Sequence, residues 1–232
     1  MNNPLRAEHS PQNLYSLLLR KFDRLLVSLS GLGLLALAWL IFNYAPQEEV
    51  MGEIQRIFYV HAPAGMASLV LFAISGILAG IFIFTRNAAL DRAGRACIET
   101  GFVFASLVLV TGPVWAKQAW GAWWTGEPRL TTFLILWLIY AGYLVFRAAS
   151  HSTRGPLTGA IIALLAGVDL PLIYLAPHWW NRNHPDPVKM SYHPEIGRVF
   201  LAGIGVAGLL AITLTRLAYR RMTLEELYAK DI

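Results

Sequence analysis

The chain has 232 residues, of which 56% are hydrophobic and only 14% are charged, roughly half the charged share of a soluble domain. That balance excludes a soluble globular surface, a disordered chain and collagen. The single cysteine, Cys97, excludes an intramolecular disulfide, a CxxC redox pair and a CxxCH attachment site. The net charge of +5 reads either as nucleic-acid binding or as membrane orientation, according to where the charges sit.

A membrane-crossing helix needs ~20 mostly apolar residues, and six segments supply them: Leu25–Tyr44, Ala64–Phe84, Thr100–Val114, Thr131–Phe146, Leu157–Leu175 and Val199–Leu217. The third and fourth are short, so their helices are expected to continue into flanking aromatic or polar residues. The first is too long for the apolar core of a signal peptide, and Pro46 follows the nearest candidate cleavage site, Ala45. The fold class is therefore all-α, a six-helix membrane bundle over 25–217. A 24-residue N-terminal segment (1–24) precedes it and a tail (218–232) follows. Six crossings put both termini on one side. That side carries thirteen of the nineteen Lys and Arg residues and the odd-numbered loops carry six, so the positive-inside rule places both termini in the cytoplasm. The charge is thus an orientation signal, and nucleic acid is not an expected partner. Loops 45–63, 115–130 and 176–198 face outward. They hold six of the eight tryptophans and, in or beside them, four of the six histidines. Chemistry is expected there, on loops held by a rigid scaffold.

In the first outer loop, Pro63 is placed where the second helix should begin. His61 then stands at or just before a helix N-terminus, where the dipole disfavours imidazolium and leaves the neutral ring that a metal requires. Arg56 and Tyr59 upstream fit a short interfacial helix. On this segment alone, an interfacial histidine bonded to a neighbouring loop is the better reading of His61, since lone histidines are rarely ligands.

In the second outer loop, Trp120, Trp123, Trp124 and Glu127 fall at i, i+3, i+4 and i+7, which would put them on one face if the stretch were helical. Gly126 and Pro128 would end that helix and Thr131 would cap the next. An aromatic belt at headgroup depth accounts for one or two tryptophans per helix end. Four in this short stretch, counting Trp115, with Arg129 nearby, suit a planar, apolar, anionic ligand that stacks on indoles and pairs carboxylates with a guanidinium.

Inside the fifth segment, Asp169 precedes Pro171 at a depth of ~9 Å by helical rise. It is either a functional carboxylate or a partner for a group near a proline kink. The third outer loop repeats the aromatic and basic theme with Trp179, Trp180, Arg182 and His184, stiffened by Pro185 and Pro187. His61 and His184 belong to one membrane face and could approach one planar metal centre from opposite sides.

These segments resemble a known family. Trp120-Gly-Ala-Trp123-Trp124-Thr-Gly-Glu-Pro-Arg129-Leu130-Thr131 is similar to the Trp-rich WWD motif of haem-handling membrane proteins. Arg56-Ile-Phe-Tyr59-Val-His61-Ala-Pro63-Ala64 resembles their first histidine segment, and Trp179-Trp180-Asn181-Arg-Asn-His184 resembles their second. The length and the six spans match the C component of the cytochrome c maturation (Ccm) system, the CcmC family. One departure is plain: the family motif continues with Trp-Asp where this chain has Gly126 and Glu127.

The resemblance implies a haem chaperone rather than a classical enzyme, in the bacterial inner membrane with its active face periplasmic. It implies non-covalent haem b with His61 and His184 as axial ligands. Around it would stand Trp120, Trp123, Trp124, Arg56, Arg129, Trp179, Trp180 and Glu127. The implied partners are the periplasmic haem chaperone CcmE, the ATP-binding-cassette pair CcmA and CcmB, the small single-span subunit CcmD, and membrane lipid. Two other readings compete with haem presentation. A membrane cytochrome b would carry its histidines mid-span. A solute transporter would find its best support in Asp169.

Overall fold

The computed structural model describes residues 11–48, 51–150, 152–179 and 194–230, with side chains over 20–48, 51–150, 152–175 and 194–228. Among the described residues, seven α-helices follow one another: α1 (Pro11–Trp39), α2 (Phe58–Thr85), α3 (Ala88–Trp120), α4 (Pro128–Ala149), α5 (Gly155–Ala166), α6 (Asp169–Trp179) and α7 (Pro194–Lys230). A π-helical turn (Leu40–Tyr44) extends α1, and a 3-10 turn (Glu53–Ile57) leads into α2. No strand occurs among the described residues. Six helical stretches are long and apolar enough to cross a membrane, α5 and α6 together making one of them. The protein is a multi-pass membrane protein with the six-span, all-α architecture expected.

Local chemistry sets the helix ends. Arg86 ends α2 in the left-handed region (φ 55°), its N–H donating to the Phe82 carbonyl. Asn87 then caps α3, its side chain accepting from the Ala89 N–H at 2.9 Å. Gly121 ends α3 at φ 77°, and its N–H donates to the Lys117 carbonyl, the usual glycine stop. Pro128 opens α4, where a missing N–H costs nothing.

The third and fourth helices do extend beyond their apolar stretches, as expected. The loop drawn as 115–130 shrinks to the residues between Trp120 and Pro128. Asp169 is not inside one helix. The chain breaks at Gly167–Val168 and Asp169 starts α6. Pro171 is the cause: its ring clashes with the carbonyl four residues back, that of Gly167, and it has no N–H to donate there.

The α2–α3 hairpin occupies the centre; α7 packs on one flank of it and carries α1 on its own far side, while α5 and α4 pack on the other flank and α6 packs on α4. Its middle is an apolar core around Phe72 and Tyr140, whose rings stack at 4.0 Å. At the end of the bundle where α1 begins and α7 ends, here the termini end, arginines and carboxylates tie helices together. Arg147 of α4 grips Asp91 of α3 through two bonds of 2.7 and 2.8 Å. Arg216 and Arg220 of α7 share Asp23 of α1, and Glu99 of α3 receives Arg95 and Arg221. At the opposite, Trp-rich end, a second apolar cluster joins Leu37, Ile41, Phe58, Tyr59, Trp115 and Val199.

Candidate functional site at the Trp-rich end

His61 is the fourth residue of α2 and Pro63 the sixth, because the 3-10 turn runs directly into helix at Phe58. The expected start at Pro63 is thus corrected. The carbonyl that this interior proline deprives of an N–H partner, that of Tyr59, lies against α7. A Cβ placed on Gly203 of α7 would come within 2.6 Å of that oxygen. Only a glycine lets the two backbones approach so closely.

The His61 ring is buried, 6% exposed. Its Nδ1 lies 2.8 Å from the Thr111 hydroxyl. The Trp115 ring stands edge-on to it, with centroids 5.6 Å apart and planes at 72°. Between them, the backbone of Gly112 is so near that an added Cβ would sit 3.2 Å from His61 Cε1. Thr111, Gly112 and Trp115 share one face of α3, one helical turn apart. Phe58, stacked on Phe200 of α7 at 4.8 Å, backs Trp115 at 6.2 Å. His61 therefore sits where α2, α3 and α7 converge.

The tryptophan segment does not form one helical face. Trp120 is the last residue of α3, and Gly121 turns the chain out of the helix. Trp123 and Trp124 follow in irregular loop, 59% and 40% exposed. The helical spacing was real, but a glycine in the left-handed region ended the helix before it was used. Gly126 also has positive φ, at 67°. A tryptophan there, as the family motif has, would strain this backbone.

Glu127 is buried at the N-cap position of α4. The helix begins at Pro128, so Thr131 lies inside its first turn and does not cap it. Arg129 reaches across to α6, its Nε donating to the Ile173 carbonyl at 3.4 Å. The Arg56 guanidinium pairs with Glu53, donates to the Ile41 carbonyl and lies over the Phe42 ring at 5.8 Å. It thereby fastens the π-helical end of α1 to the 3-10 turn. His184, Trp180 and Arg182 lie outside the described residues, and Trp179 is described by its backbone alone, as the last residue of α6.

Thr111 and Gly112, close partners of His61, escaped the sequence reading. They are 50 and 51 residues away in the chain, and a threonine in an apolar helix ordinarily bonds its own backbone. The Thr-Gly-Pro-x-Trp run of residues 111–115 was the one available signal.

Among the described residues, no group of three or more His, Cys, Asp or Glu converges as an ion site. Haem asks for less, because a porphyrin brings its own equatorial donors and needs only axial imidazoles, aromatic walls and cations. The residue types at this end fit. His61 supplies a buried ring seated on a glycine backbone, Trp115, Trp123 and Trp124 supply indoles, and Arg129 stands at the head of α4.

Comparison with known proteins points the same way. Residues 5–230 match the family model described as "Heme exporter protein C". The chain is 31% identical over 203 residues to Heme exporter protein C of Escherichia coli (strain K12), covering 85% of this chain and 82% of that protein. It is 30% identical over 159 residues to the protein of the same name from Bradyrhizobium diazoefficiens, covering 68% and 60%. It is also 32% identical over 166 residues to a putative cytochrome c biosynthesis ccmC-like mitochondrial protein of Arabidopsis thaliana, covering 71% and 62%. A match over nearly the whole chain, on a six-span helical scaffold, means that the chain belongs to the heme exporter protein C (CcmC) family.

Proposed function

We propose that the protein holds haem b non-covalently at its Trp-rich end, with His61 and His184 as axial ligands, and delivers it to the periplasmic chaperone CcmE. The observation that carries this reading is the buried His61 imidazole, held between α2 and α3 beside Trp115 and next to a loop that exposes two more tryptophans. When bound, haem supplies an iron centre open to axial imidazoles and two propionates that need cations.

The chain's own residues divide the work. His61 offers a ring nitrogen from a rigid helix rather than from a loop, which limits the reorganisation needed on binding. Trp123 and Trp124 present indole faces that both a porphyrin and a docking protein can reach. Arg129 and Arg56 provide guanidinium groups of the kind that pairs with carboxylates, and Trp120, Trp179, Trp180 and Glu127 complete the surroundings. The surplus of Lys and Arg at the termini end supports a cytoplasmic position for that end and a periplasmic one for the Trp-rich end of the bacterial inner membrane. Assembly with CcmA, CcmB and CcmD in a lipid bilayer belongs to the same reading.

The test is a reduced-minus-oxidised spectrum of protein purified from haem-replete cells. A Soret band is expected in the wild type, weakened in His61→Ala or His184→Ala and absent in the double variant. A wild type without the band, or a band indifferent to both substitutions, would refute the reading.

A further inference from the structure

We propose that Thr111 is a positioning residue that selects the tautomer of His61, so that Nε2 is the nitrogen His61 offers to iron. The inference rests on the axial role of His61 given above and adds how that role is prepared before any ligand arrives.

The Thr111 hydroxyl has one hydrogen and lone pairs. Its oxygen lies 2.7 Å from the Leu107 carbonyl, with the Val108 carbonyl at 3.4 Å. A carbonyl can only accept, so the hydroxyl proton belongs on that side. Were it turned toward His61, two oxygens would face each other at 2.7 Å with no proton between them. The lone pair of Thr111 Oγ1 therefore faces His61 Nδ1 at 2.8 Å, and Nδ1 must be the donor. A neutral imidazole protonated at Nδ1 carries its lone pair on Nε2.

The helix itself enforces this direction. A threonine within an α-helix bonds back to the carbonyl four residues earlier, which is Leu107 here. The orientation of the acceptor lone pair is a property of α3 and does not depend on His61. Gly112 contributes the seat: with only 3.2 Å between His61 Cε1 and the position a Cβ would take, the ring lies directly on the α3 backbone. Trp115 closes the edge at 5.6 Å. Bond, seat and edge come from consecutive turns of one helix and fix both the tautomer and the plane of the ring. A hydrogen bond donated by the distal imidazole nitrogen is the usual device for orienting a metal-binding histidine and raising its basicity.

The test begins on the full-length apoprotein in detergent, labelled with 15N-histidine, with the His61 signals assigned by their loss in His61→Ala. A protonated Nδ1 and an unprotonated Nε2 are expected in the wild type and in Thr111→Ser, and mixed tautomers in Thr111→Val. The wild-type spectrum decides the tautomer whatever becomes of the valine variant. With haem bound, Thr111→Val should weaken retention about 10–100-fold and move the midpoint potential to more positive values, because a less basic imidazole stabilises the ferric state less. Thr111→Ser should restore both.

An Nε2–H tautomer in the wild type overturns the inference. So does a Thr111→Val protein that keeps the wild-type tautomer, retention and potential. Failure of the underlying haem reading looks different: no protein, wild type included, would develop a Soret band.

Discussion

At the termini end of the bundle, helices are joined to one another by charge. Asp91 of α3 meets Arg147 of α4, Asp23 of α1 meets Arg216 and Arg220 of α7, and Glu226 of α7 meets Arg92 of α3. At the Trp-rich end, the described ion pairs Arg56–Glu53 and Arg198–Glu195 each stay within a single element; the second is exposed on both sides and the first on its Glu53 side only. There, helices meet through aromatic rings and the His61–Thr111 bond. The contrast separates two uses of polar side chains. Several of the basic residues that dominate the orientation signal are also structural clasps. The residues suited to a ligand stand at the end where, among the described residues, no ion pair joins one helix to another, and Arg56 and Arg129 reach backbone carbonyls of neighbouring elements instead.

That division can be attacked from either end. The largest effect on stability is expected from Arg147→Ala. Its pair with Asp91 is only 9% and 12% exposed, and removing one partner of a buried pair costs about 3–5 kcal/mol. Denaturation in detergent should show the loss, while the haem spectrum per folded molecule stays unchanged. A cost below about 1 kcal/mol, the level of an exposed pair, would deny the clasp.

Gly203→Ala comes next. The new methyl would press on the Tyr59 carbonyl, and overpacking of this kind costs about 1–3 kcal/mol. Because Tyr59 lies two residues from His61, this variant should also loosen haem retention, which links helix packing to the site.

Gly126→Trp restores the residue of the family motif but places it at φ 67°, at a cost of about 1–2 kcal/mol. Thermal unfolding should register a small decrease. A stabilised protein would mean that the loop readily adopts another conformation.

The smallest effect on stability belongs to Trp123→Ala. A side chain 59% exposed should change stability by no more than about 0.5 kcal/mol. Transfer of haem to CcmE, followed by the covalent product on the chaperone, should nevertheless fall. A large loss of stability with normal transfer would reverse the assignment of this residue.

Much of the architecture was legible because hydropathy alone dictates it. A segment such as Leu157–Leu175 has few places to be except in a bilayer, and the six spans appear where expected. The ends were harder. Helices α2 and α3 continue through His61, Arg92, Arg95 and Lys117, because a membrane helix keeps its backbone bonds after its side chains turn polar. Pro63 marks no helix start and lies inside α2, close against Gly203 of α7.

The tryptophan spacing suggested a helical face that Gly121 abolishes. The site was half visible. His61 and the tryptophans announce themselves by type and place. The Thr111 bond and the Gly112 seat arise from the approach of α2 to α3, and no local pattern encodes that approach.

The proposed site is defined by which end of the bundle, and which nitrogen, takes the iron. A cryo-electron microscopy structure of the protein purified with haem answers both at once. It should place the iron at the Trp-rich end on Nε2 of His61, with Nδ1 still within hydrogen-bond distance of the Thr111 hydroxyl. Iron bound at the termini end, or at the Trp-rich end with His61 ligating through Nδ1 or not at all, would contradict it.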